Sequence, residues 1–287
     1  MIDTLAIIGV GLIGSSLSLA LKQAGAVRQV IGYGRNQDNL ARGVELGVLD
    51  DFGDSIETCV RDADVVVVAV PLGAMQSVFA TLKTTVKKDV VITDVGSAKG
   101  SVVTAAQAEL GSQINRFVPG HPIAGTEKSG VEAGFPTLFR DRRVILTPTQ
   151  QTDDDAISVI DAMWQHCGAV MEYLSVEHHD KVLAATSHLP HMLAYALVHY
   201  LSGLNDHEEI FRYASGGFRD FTRIASSDPV MWRDVCISNG DALADLIEQY
   251  QLELDQVKSA IQAGNAEELL KLFGRAKSER DSLIGNC

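Results

Sequence analysis

The chain has 287 residues, about enough for two domains. It is 46% hydrophobic and 21% charged, an ordinary composition for a soluble protein with a buried core. Acidic residues outnumber basic residues by 37 to 24, and the formal net charge of −13 argues against nucleic acid and anionic membranes as partners. The sequence shows no signal peptide, and no apolar run approaches the roughly 18 residues of a membrane span, so we expect a cytoplasmic protein. The four cysteines are scattered without metal-ligand spacing, and no metal site is expected.

The N-terminal segment has the pattern of one strand–helix–strand unit. An apolar run at Leu5–Val10 predicts a strand, Ser15–Ala24 has helical spacing, and Gln29–Tyr33 predicts a second strand. The intervening sequence GVGLIG matches GxGxxG in the context that indicates a dinucleotide-binding turn. In such a turn the phosphates rest on the helix N-terminus. We therefore expect cofactor contacts from Gly9, Gly11, Leu12, Ile13 and Gly14.

Further apolar runs predict a sheet that continues to about residue 174. The predicted strands are Asp64–Val70, Val90–Asp94, Phe117–Gly120, Val144–Thr147 and Val170–Leu174, with a helix at Asp153–Cys167. Beyond this point helical spacing dominates, at Val176–His199, Ile210–Ile224, Val230–Ser259 and Ala266–Leu283. The pattern predicts an α/β Rossmann domain with a mostly parallel sheet over residues 1–174. An all-α domain for substrate binding and dimerisation is expected over residues 175–287.

The end of the second strand bears on the choice of cofactor. NAD enzymes usually carry an acidic residue here for the ribose hydroxyls, but this chain has Gly34 followed by Arg35. A guanidinium can bind the 2′-phosphate of NADP through charge-assisted hydrogen bonds. We therefore favour NADP over NAD, although Arg35 could stack on the adenine while NAD binds, with Asp38 nearby in the sequence. The loop after the third apolar strand should line the nicotinamide ribose through Val70, Pro71 and Leu72.

Two loops with polar residues follow predicted strands, TDVGSAK at residues 93–99 and GHPIAGTE at residues 120–127. In an open α/β sheet both would lie at the carboxyl ends of the strands, where ligands bind. His121 is flanked by glycine and proline, which restrict the backbone, so it is well placed as a general base. From the residues alone, a structural hydrogen-bonding role for His121 is an equal alternative.

Five stretches together give a specific resemblance. They are GVGLIGSSL, TDVGSAKG, GHPIAGTEKSGVEAG, SHLPHML and GGFRDFTRIASSDPVMW, and they occur in this order from residue 9 to residue 232. On these stretches the chain resembles the prephenate/arogenate dehydrogenase family. The resemblance implies oxidative decarboxylation of a cyclohexadienyl substrate, prephenate or arogenate, with hydride transfer to NAD(P), in the biosynthesis of tyrosine. Some relatives add a chorismate mutase or an ACT domain, and we expect neither in this chain.

The resemblance also implies roles for individual residues. It makes His121 the base on the ring hydroxyl, with Ser97 hydrogen-bonded to the same hydroxyl or orienting His121. It makes Arg223 the ligand of a substrate carboxylate, with Arg219 either supporting it or lying on the surface. Thr126 and Glu127 would hold polar groups at the mouth of the site, the alternative for Glu127 being a solvated loop carboxylate.

The SHLPH motif places His188 and His191 three residues apart on one face of a helix. By resemblance, His188 faces the nicotinamide and His191 faces the substrate, with core or capping roles as the alternative. Pro190 should kink or tighten this helix. Trp232 would wall the substrate pocket, or would be an ordinary core residue.

Two other function classes stay open at this point. A β-hydroxyacid dehydrogenase also joins a Rossmann domain to helices, but relies on a helical lysine, for which Lys181 is the candidate. A non-catalytic NAD(P)-sensing regulatory module would need the glycines but not Ser97, His121 and Arg223. The residues do not separate prephenate from arogenate as the substrate. A homodimer formed through the helical domain is expected by analogy with other Rossmann enzymes of this length.

Overall fold

The computed structural model describes residues 1–126 and 128–284. Its strands are β1 (Ile2–Ile8), β2 (Val27–Tyr33), β3 (Asp51–Phe52), β4 (Val65–Val68), β5 (Val91–Asp94), β6 (Phe117–Val118), β7 (Gly120–Pro122), β8 (Arg143–Leu146) and β9 (Val170–Tyr173). Its α-helices up to β9 are α1 (Leu12–Gln23), α2 (Gln37–Glu45), α3 (Ile56–Val60), α4 (Met75–Thr85), α5 (Gly100–Glu109) and α6 (Asp154–His166). Those after β9 are α7 (Val176–Leu183), α8 (Leu189–Ser202), α9 (His207–Arg212), α10 (Gly216–Thr222), α11 (Pro229–Ser238), α12 (Gly240–Gln262) and α13 (Ala266–Ile284).

The main sheet has six strands in the order β3-β2-β1-β4-β5-β6, and every pair is parallel. Alternate residues of β1 supply two hydrophobic cores, one on each face of the sheet: Leu5 and Ile7 join one core, and Ala6 and Ile8 join the other. Both faces are therefore covered, which explains why β4 is an unbroken run of buried valines. The prediction of a Rossmann-type, mostly parallel sheet followed by a helical region is confirmed.

A second, three-stranded sheet lies next along the chain. Strand β7 pairs antiparallel with β8, β8 pairs parallel with β9, and His121 is opposite Ile145. The sequence pattern predicts one strand over Phe117–Gly120, but the structure divides this segment between the two sheets. Pro119 stands at the division, and proline has no N–H to donate to a strand ladder. His121 is consequently held within a strand rather than in a loop.

The helical region departs from the predicted lengths at three places. The predicted helix Ile210–Ile224 is divided between α9 and α10, and the predicted helix Val230–Ser259 is divided between α11 and α12. The third departure lies near the candidate site. The pattern predicts a single helix over Val176–His199, whereas a π-helical turn over Ala184–His188 separates α7 from α8. A π turn widens the helix instead of tightening it, and such turns are frequent at functional sites. Pro190 comes two residues after this turn, and its missing N–H removes one ordinary helical hydrogen bond.

The chain forms two compact units, the first ending at Gly240 and the second beginning at Asp241. The first unit contains both sheets and the helices up to α11, whereas the second consists of α12 and α13. The proposed domain boundary at residues 174–175 stays a prediction. Among the described helices, none combines the length and the apolar character needed to cross a membrane.

Candidate active site

The glycine turn between β1 and α1 has the geometry of a phosphate cradle. Gly9 has a φ of +101°, and a Cβ there would lie 2.3 Å from a backbone oxygen of the loop after β4. A Cβ on Gly14 would lie 2.6 Å from the carbonyl oxygen of Gly9, so both positions require glycine. A Cβ on Gly11 would meet nothing within 4 Å, so the turn faces open space there. No side chain in the described part of the chain caps helix α1, which leaves the N–H groups of its first residues, Leu12 and Ile13, available to a ligand.

The end of β2 leaves room for a ribose phosphate. Arg35 is exposed, and Asp38 is exposed in the first turn of α2. A Cβ on Gly34 would lie 3.5 Å from the nearest side-chain atom, which belongs to Leu40, and this is an ordinary contact. Packing alone therefore does not exclude an acidic side chain at this position.

The loop after β4 abuts the loop after β5. Val70 is half-buried, Pro71 is exposed, and Leu72 begins a short 3₁₀ turn. A Cβ on Gly96 would lie 2.7 Å from Cδ2 of Leu72, so the two loops are in direct contact. The residues predicted to line the nicotinamide ribose therefore lie beside the segment that carries Ser97.

A fully buried ion pair organises the second of these loops. Lys99 Nζ lies 2.5 Å from Oδ2 of Asp94 and donates to the carbonyl oxygen of Gly120 at 2.7 Å. The two carboxylate oxygens of Asp94 also accept the backbone N–H groups of Gly96 and Gly120. Burial lowers the pKa of Lys99, and the charge of Asp94 opposes this effect. The pair joins the loop carrying Ser97 to the start of β7.

His121, which follows Gly120 in β7, is the first member of a hydrogen-bonded chain. Its side chain is buried, and its Nδ1 lies 2.9 Å from Nε2 of His179. His179 Nδ1 in turn lies 2.8 Å from Oδ1 of Asp180. The Asp180 carboxylate also accepts the backbone N–H groups of Lys99 and Gly100, both at 2.7 Å. Helix α7 is thereby tied to both β7 and the N-terminus of α5.

The surroundings of His121 favour its neutral form. Burial is the main reason that its pKa lies well below 6.5, and electrostatic interactions with His179, Lys99 and His188 add to the effect. A neutral imidazole has one nitrogen with a free lone pair, which is what a general base requires. Ser97, the other predicted catalytic residue, is half-buried on the loop next to this cluster.

His188, the last residue of the π turn, is fully buried. Its Nδ1 lies 3.2 Å from Nδ2 of Asn239, which also donates to the carbonyl oxygen of Asp180. Burial lowers the pKa of His188 to about 4. Its Nε2 has no hydrogen-bond partner among the described residues. A buried polar atom without a partner is unusual and marks a position where a ligand can supply one.

The two histidines of the SHLPH motif both contact Trp232. The His191 ring stacks on the indole with centroids 3.7 Å apart, and the His188 ring meets it edge-on at 6.1 Å. Burial lowers the pKa of His191, and the nearby positive charge of Arg223 lowers it further. The structure therefore brings four of the predicted site residues together.

Helix α11, which carries Trp232, is fixed to the loop after β4. Asp234 accepts the backbone N–H of Gly73 at 3.1 Å, so the wall formed by Trp232 is attached to the predicted nicotinamide loop. Asp234 is itself buried and bonded to Arg233.

The remaining predicted residues that the structure describes are exposed. Thr126 is exposed and its hydroxyl accepts the backbone N–H of Lys128, whereas Glu127 lies outside the described residues. Arg219 is exposed on α10, and Lys181, the candidate for a β-hydroxyacid dehydrogenase, is exposed on α7. The described residues contain no group of three side chains arranged to hold a metal ion.

Four functional candidates were not indicated by the sequence patterns: His179, Asp180, Lys99 and Asp94. The sequence shows two signals for these residues. One is the adjacent pair His179-Asp180 near a helix start, and the other is the spacing of Asp94 and Lys99 around a glycine. Neither signal has meaning until His121 is known to lie 2.9 Å from His179.

The residues present fit a nicotinamide dinucleotide. The open backbone at Gly11, the uncapped start of α1 and the unpartnered Nε2 of His188 are three positions that such a molecule could satisfy. The first two would hold phosphates, and the third would pair with a polar atom of the ligand.

Comparisons with known proteins give the family. The prephenate dehydrogenase nucleotide-binding domain matches residues 17–173, and the prephenate dehydrogenase dimerization domain matches residues 175–275. A cyclohexadienyl dehydrogenase from Zymomonas mobilis is 41% identical, with 97% of this chain and 95% of the relative aligned. A prephenate dehydrogenase from Bacillus subtilis is 38% identical, with 99% of this chain and 76% of the relative aligned.

Solved structures agree. Prephenate dehydrogenase from Aquifex aeolicus, in complex with hydroxyphenyl propionate and NAD⁺, superposes with a TM-score of 0.92 at 37% identity, covering 99% of each chain. Synechocystis arogenate dehydrogenase gives a TM-score of 0.80 at 28% identity, covering 98% of this chain and 99% of that one. The chain therefore belongs to the prephenate dehydrogenase family of nicotinamide-dependent dehydrogenases.

Proposed function

We propose that this protein oxidatively decarboxylates prephenate, arogenate or both in the biosynthesis of tyrosine. The observation that carries the proposal is the buried His121, whose neighbour Gly120 is hydrogen-bonded to Lys99 of the Ser97 loop. Burial lowers the pKa of His121, which suits a general base. The names of the relatives support the same reaction class. The products are 4-hydroxyphenylpyruvate from prephenate and tyrosine from arogenate.

The reaction requires a base, a hydride acceptor and a route for the ring carboxylate. The ring hydroxyl gives up its proton while its carbon gives up a hydride, which forms a carbonyl. The bond to the ring carboxylate then breaks, carbon dioxide leaves, and the electron pair enters the ring. The carbonyl oxygen regains a proton and becomes the phenol. The bound nicotinamide supplies the hydride acceptor.

His121 takes the hydroxyl proton in this scheme, and Ser97 hydrogen-bonds the same oxygen. A positioned base of this kind contributes about 10²- to 10⁴-fold to the rate. His121 also holds the proton that the carbonyl oxygen later regains, so one residue serves both halves of the reaction.

The helical region binds the rest of the substrate. Arg223 holds a carboxylate through charge-assisted hydrogen bonds, and His191 contacts the substrate side chain beside it. Trp232 forms the wall behind His191, in keeping with their stacked rings. Thr126 is assigned to the substrate's polar groups at the mouth of the site, and Glu127, which lies outside the described residues, keeps the same predicted role.

His188 is assigned to the nicotinamide. Its Nε2 lies inside the protein and has no hydrogen-bond partner among the described residues. A ligand amide that reaches His188 satisfies this atom. The remaining cofactor contacts come from the residues predicted in the sequence: Gly9, Gly11, Leu12, Ile13, Gly14, Val70, Pro71 and Leu72.

NADP is proposed as the preferred cofactor. Arg35 is exposed at the end of β2, and no acidic side chain occupies the position of Gly34. A carboxylate at that position would repel a 2′-phosphate, whereas a guanidinium attracts it. Asp38 is exposed one turn further on, so a weaker use of NAD is part of the proposal.

His191 bears on the choice between prephenate and arogenate. Its Nδ1 lies 2.8 Å from the carbonyl oxygen of Ser187, which can only accept, so Nδ1 carries the proton in the neutral ring. The Nε2 lone pair is then able to accept a hydrogen bond from the ammonium of arogenate. Arg223 offers donors to the keto acid group of prephenate, so the site supports both substrates.

We also propose a homodimer, built through the helical region from residue 175 onward. The match to a dimerization domain supports this arrangement. Large apolar side chains are exposed in each unit, at Tyr200, Tyr213 and Ile237 in the first and at Leu252, Leu254, Ile261, Leu270 and Phe273 in the second. Apolar exposure on this scale is typical of a surface that another chain covers.

Steady-state reduction of NAD and NADP, each with prephenate and with arogenate, tests the reaction and its specificity. Turnover is expected with at least one substrate, and the kcat/KM values rank cofactors and substrates together. The variant His121→Asn should lower kcat by about 10²-fold or more while dinucleotide affinity stays nearly unchanged. Absence of turnover in all four assays, with dinucleotide binding intact, would refute the proposed function.

A further inference from the structure

The hydrogen-bonded chain behind His121 fixes which of its nitrogens can act as the base. We propose that His179 and Asp180 are positioning residues that keep the single proton of neutral His121 on Nδ1. Its Nε2 is thereby kept free for the substrate hydroxyl. This inference rests on the proposed role of His121 as the base.

Asp180 is the far end of the hydrogen-bonded chain. Its carboxylate accepts three hydrogen bonds, from His179 Nδ1 and from the backbone N–H groups of Lys99 and Gly100. Burial by itself would raise the pKa of Asp180, but these hydrogen bonds outweigh burial and lower it. An ionised carboxylate is an acceptor only, so Nδ1 of His179 must carry a proton.

His179, the middle member of the hydrogen-bonded chain, is fully buried. With its proton on Nδ1, the neutral ring has a lone pair on Nε2. This atom lies 2.9 Å from Nδ1 of His121, so His121 must be the donor in that hydrogen bond. The neutral His121 ring has one proton only, and its Nε2 is left as the acceptor.

The hydrogen-bonded chain from His121 to Asp180 also compensates the positive charge that forms on His121 during catalysis. When Nε2 accepts the hydroxyl proton, His121 becomes a cation in a buried site that already contains Lys99. The carboxylate of Asp180 is the negative end of the hydrogen-bonded chain and stabilises that cation through His179. Loss of the hydrogen bonds from His179 and Asp180 is therefore expected to make His121 a weaker base. It should also allow the His121 proton to move between Nδ1 and Nε2.

Asp180 contributes in a second, geometric way. It accepts the N–H groups of Lys99, the N-cap residue of α5, and of Gly100, the first residue of that helix. An acidic residue is stabilised at a helix N-terminus. The helix that carries His179 is thus held against the loop that carries Ser97. His179 and Asp180 together set the position of His121 relative to Ser97.

A spectroscopic experiment tests the tautomer directly in the wild-type protein. Histidine side chains labelled with ¹⁵N are observed at neutral pH, and the His121 signals are assigned by their loss in His121→Asn. The expected spectrum shows a protonated Nδ1 and an unprotonated Nε2. A protonated Nε2 with an unprotonated Nδ1 would overturn the inference. The readout needs no turnover, so it is independent of whether prephenate or arogenate is the substrate.

Paired variants at position 179 test the consequence for catalysis. His179→Leu removes the acceptor for His121 Nδ1–H and should lower kcat by about 10²-fold or more, with dinucleotide affinity unchanged. It should also move the His121 proton towards Nε2 in the ¹⁵N spectrum. His179→Gln can present its amide oxygen to His121, so its spectrum should keep the wild-type tautomer and its kcat should fall less.

The matched control is His178→Leu, which changes an exposed histidine of the same helix. It should retain wild-type kcat and the wild-type His121 spectrum. A His179→Leu protein that keeps kcat near that of this control would refute the inference. If His179→Leu does not fold, the wild-type spectrum and the His179→Gln protein still decide the matter. Failure of all four wild-type assays would instead count against the proposed function, whatever the spectrum shows.

Discussion

His191 lies nearly parallel to Trp232, with ring centroids 3.7 Å apart and ring planes 19° apart. The stack fixes the imidazole plane, and the hydrogen bond from Nδ1 to the Ser187 carbonyl fixes its rotation. His191 is therefore held in one orientation before substrate arrives. Pre-organisation of this kind lowers the entropic cost of binding.

Replacement of Trp232 should consequently affect substrate binding more than the chemical step. Aromatic pairs contribute about 0.5–1.5 kcal/mol beyond the area they bury, so Trp232→Leu should raise the substrate KM by roughly 2- to 12-fold. Trp232→Phe keeps a ring under His191 and serves as the control, with a smaller change. Steady-state kinetics at saturating cofactor checks this, and an unchanged KM in Trp232→Leu would contradict it.

The end of β2 should determine the cofactor preference. Arg35→Ala removes a guanidinium that we assign to the 2′-phosphate, and hydrogen bonds to charged groups contribute about 1.5–3 kcal/mol. The affinity for NADP should fall by roughly 10- to 150-fold, with a much smaller loss for NAD. Gly34→Asp fits the available space and should favour NAD. Arg61→Ala, an exposed arginine elsewhere, is the control. Equal losses of NAD and NADP in Arg35→Ala would contradict the assignment.

The local features of the fold could be predicted from the sequence because their signals are local. The apolar run Val65–Val68 and the glycine turn at Gly9 each identify their structure within a few neighbouring residues. Both rest on strong physical constraints, burial on two faces and a backbone that excludes a Cβ. The parallel sheet and the cofactor turn follow from them.

The hydrogen-bonded chain behind His121 could not be predicted in this way. His121 and His179 are 58 residues apart, and Lys99 and Asp180 are 81 residues apart. Their roles depend on a three-dimensional approach that no periodicity encodes. The π turn before His188 is similarly hidden, because its residues keep an ordinary helical pattern while the hydrogen bonds shift by one residue.

Buried His188 should make the protein less stable as the pH falls. Its pKa is about 4 in the folded protein, against an ordinary value of 6.5, so the unfolded chain binds the proton first. The stability that the protein has with His188 neutral is fully present above pH 6.5. It is lost as the pH falls from 6.5 to 4, and the free energy of unfolding decreases by about 3 kcal/mol in total. In the variant His188→Gln the free energy of unfolding should depend less on pH in that range. Urea unfolding at pH 7.5 and 5.5 measures this, with exposed His178→Gln as the control. The same pH dependence in His188→Gln and wild type would contradict the assignment.

The buried pair of Lys99 and Asp94 gives a prediction about stability. Lys99→Met leaves the carboxylate of Asp94 buried without its cation, and such a loss costs about 3–5 kcal/mol. Adding Asp94→Asn removes the stranded charge, so the double variant should be more stable than Lys99→Met alone. The half-exposed pair of Lys87 and Asp64 is the control, since Lys87→Met should cost less than about 1 kcal/mol. Chemical unfolding measures the free energy of unfolding of each variant. Equal losses of this free energy in Lys99→Met and Lys87→Met would contradict the prediction.

The exposed apolar side chains of α13 should support the homodimer. Leu270 is 74% exposed and Phe273 is 57% exposed, and residues three apart share one face of a helix. Burial of a large apolar side chain is worth about 1.5–3 kcal/mol, so the double variant Leu270→Glu/Phe273→Glu should weaken association by well over tenfold. Lys271→Glu/Arg275→Glu places two glutamates on the other side of the same helix and is the matched control. Light scattering over a concentration series should show dimers for wild type and the control, and monomers for the first variant at low concentration. A dimer that persists in Leu270→Glu/Phe273→Glu would place the interface elsewhere, and a monomeric wild type would refute the proposed dimer itself.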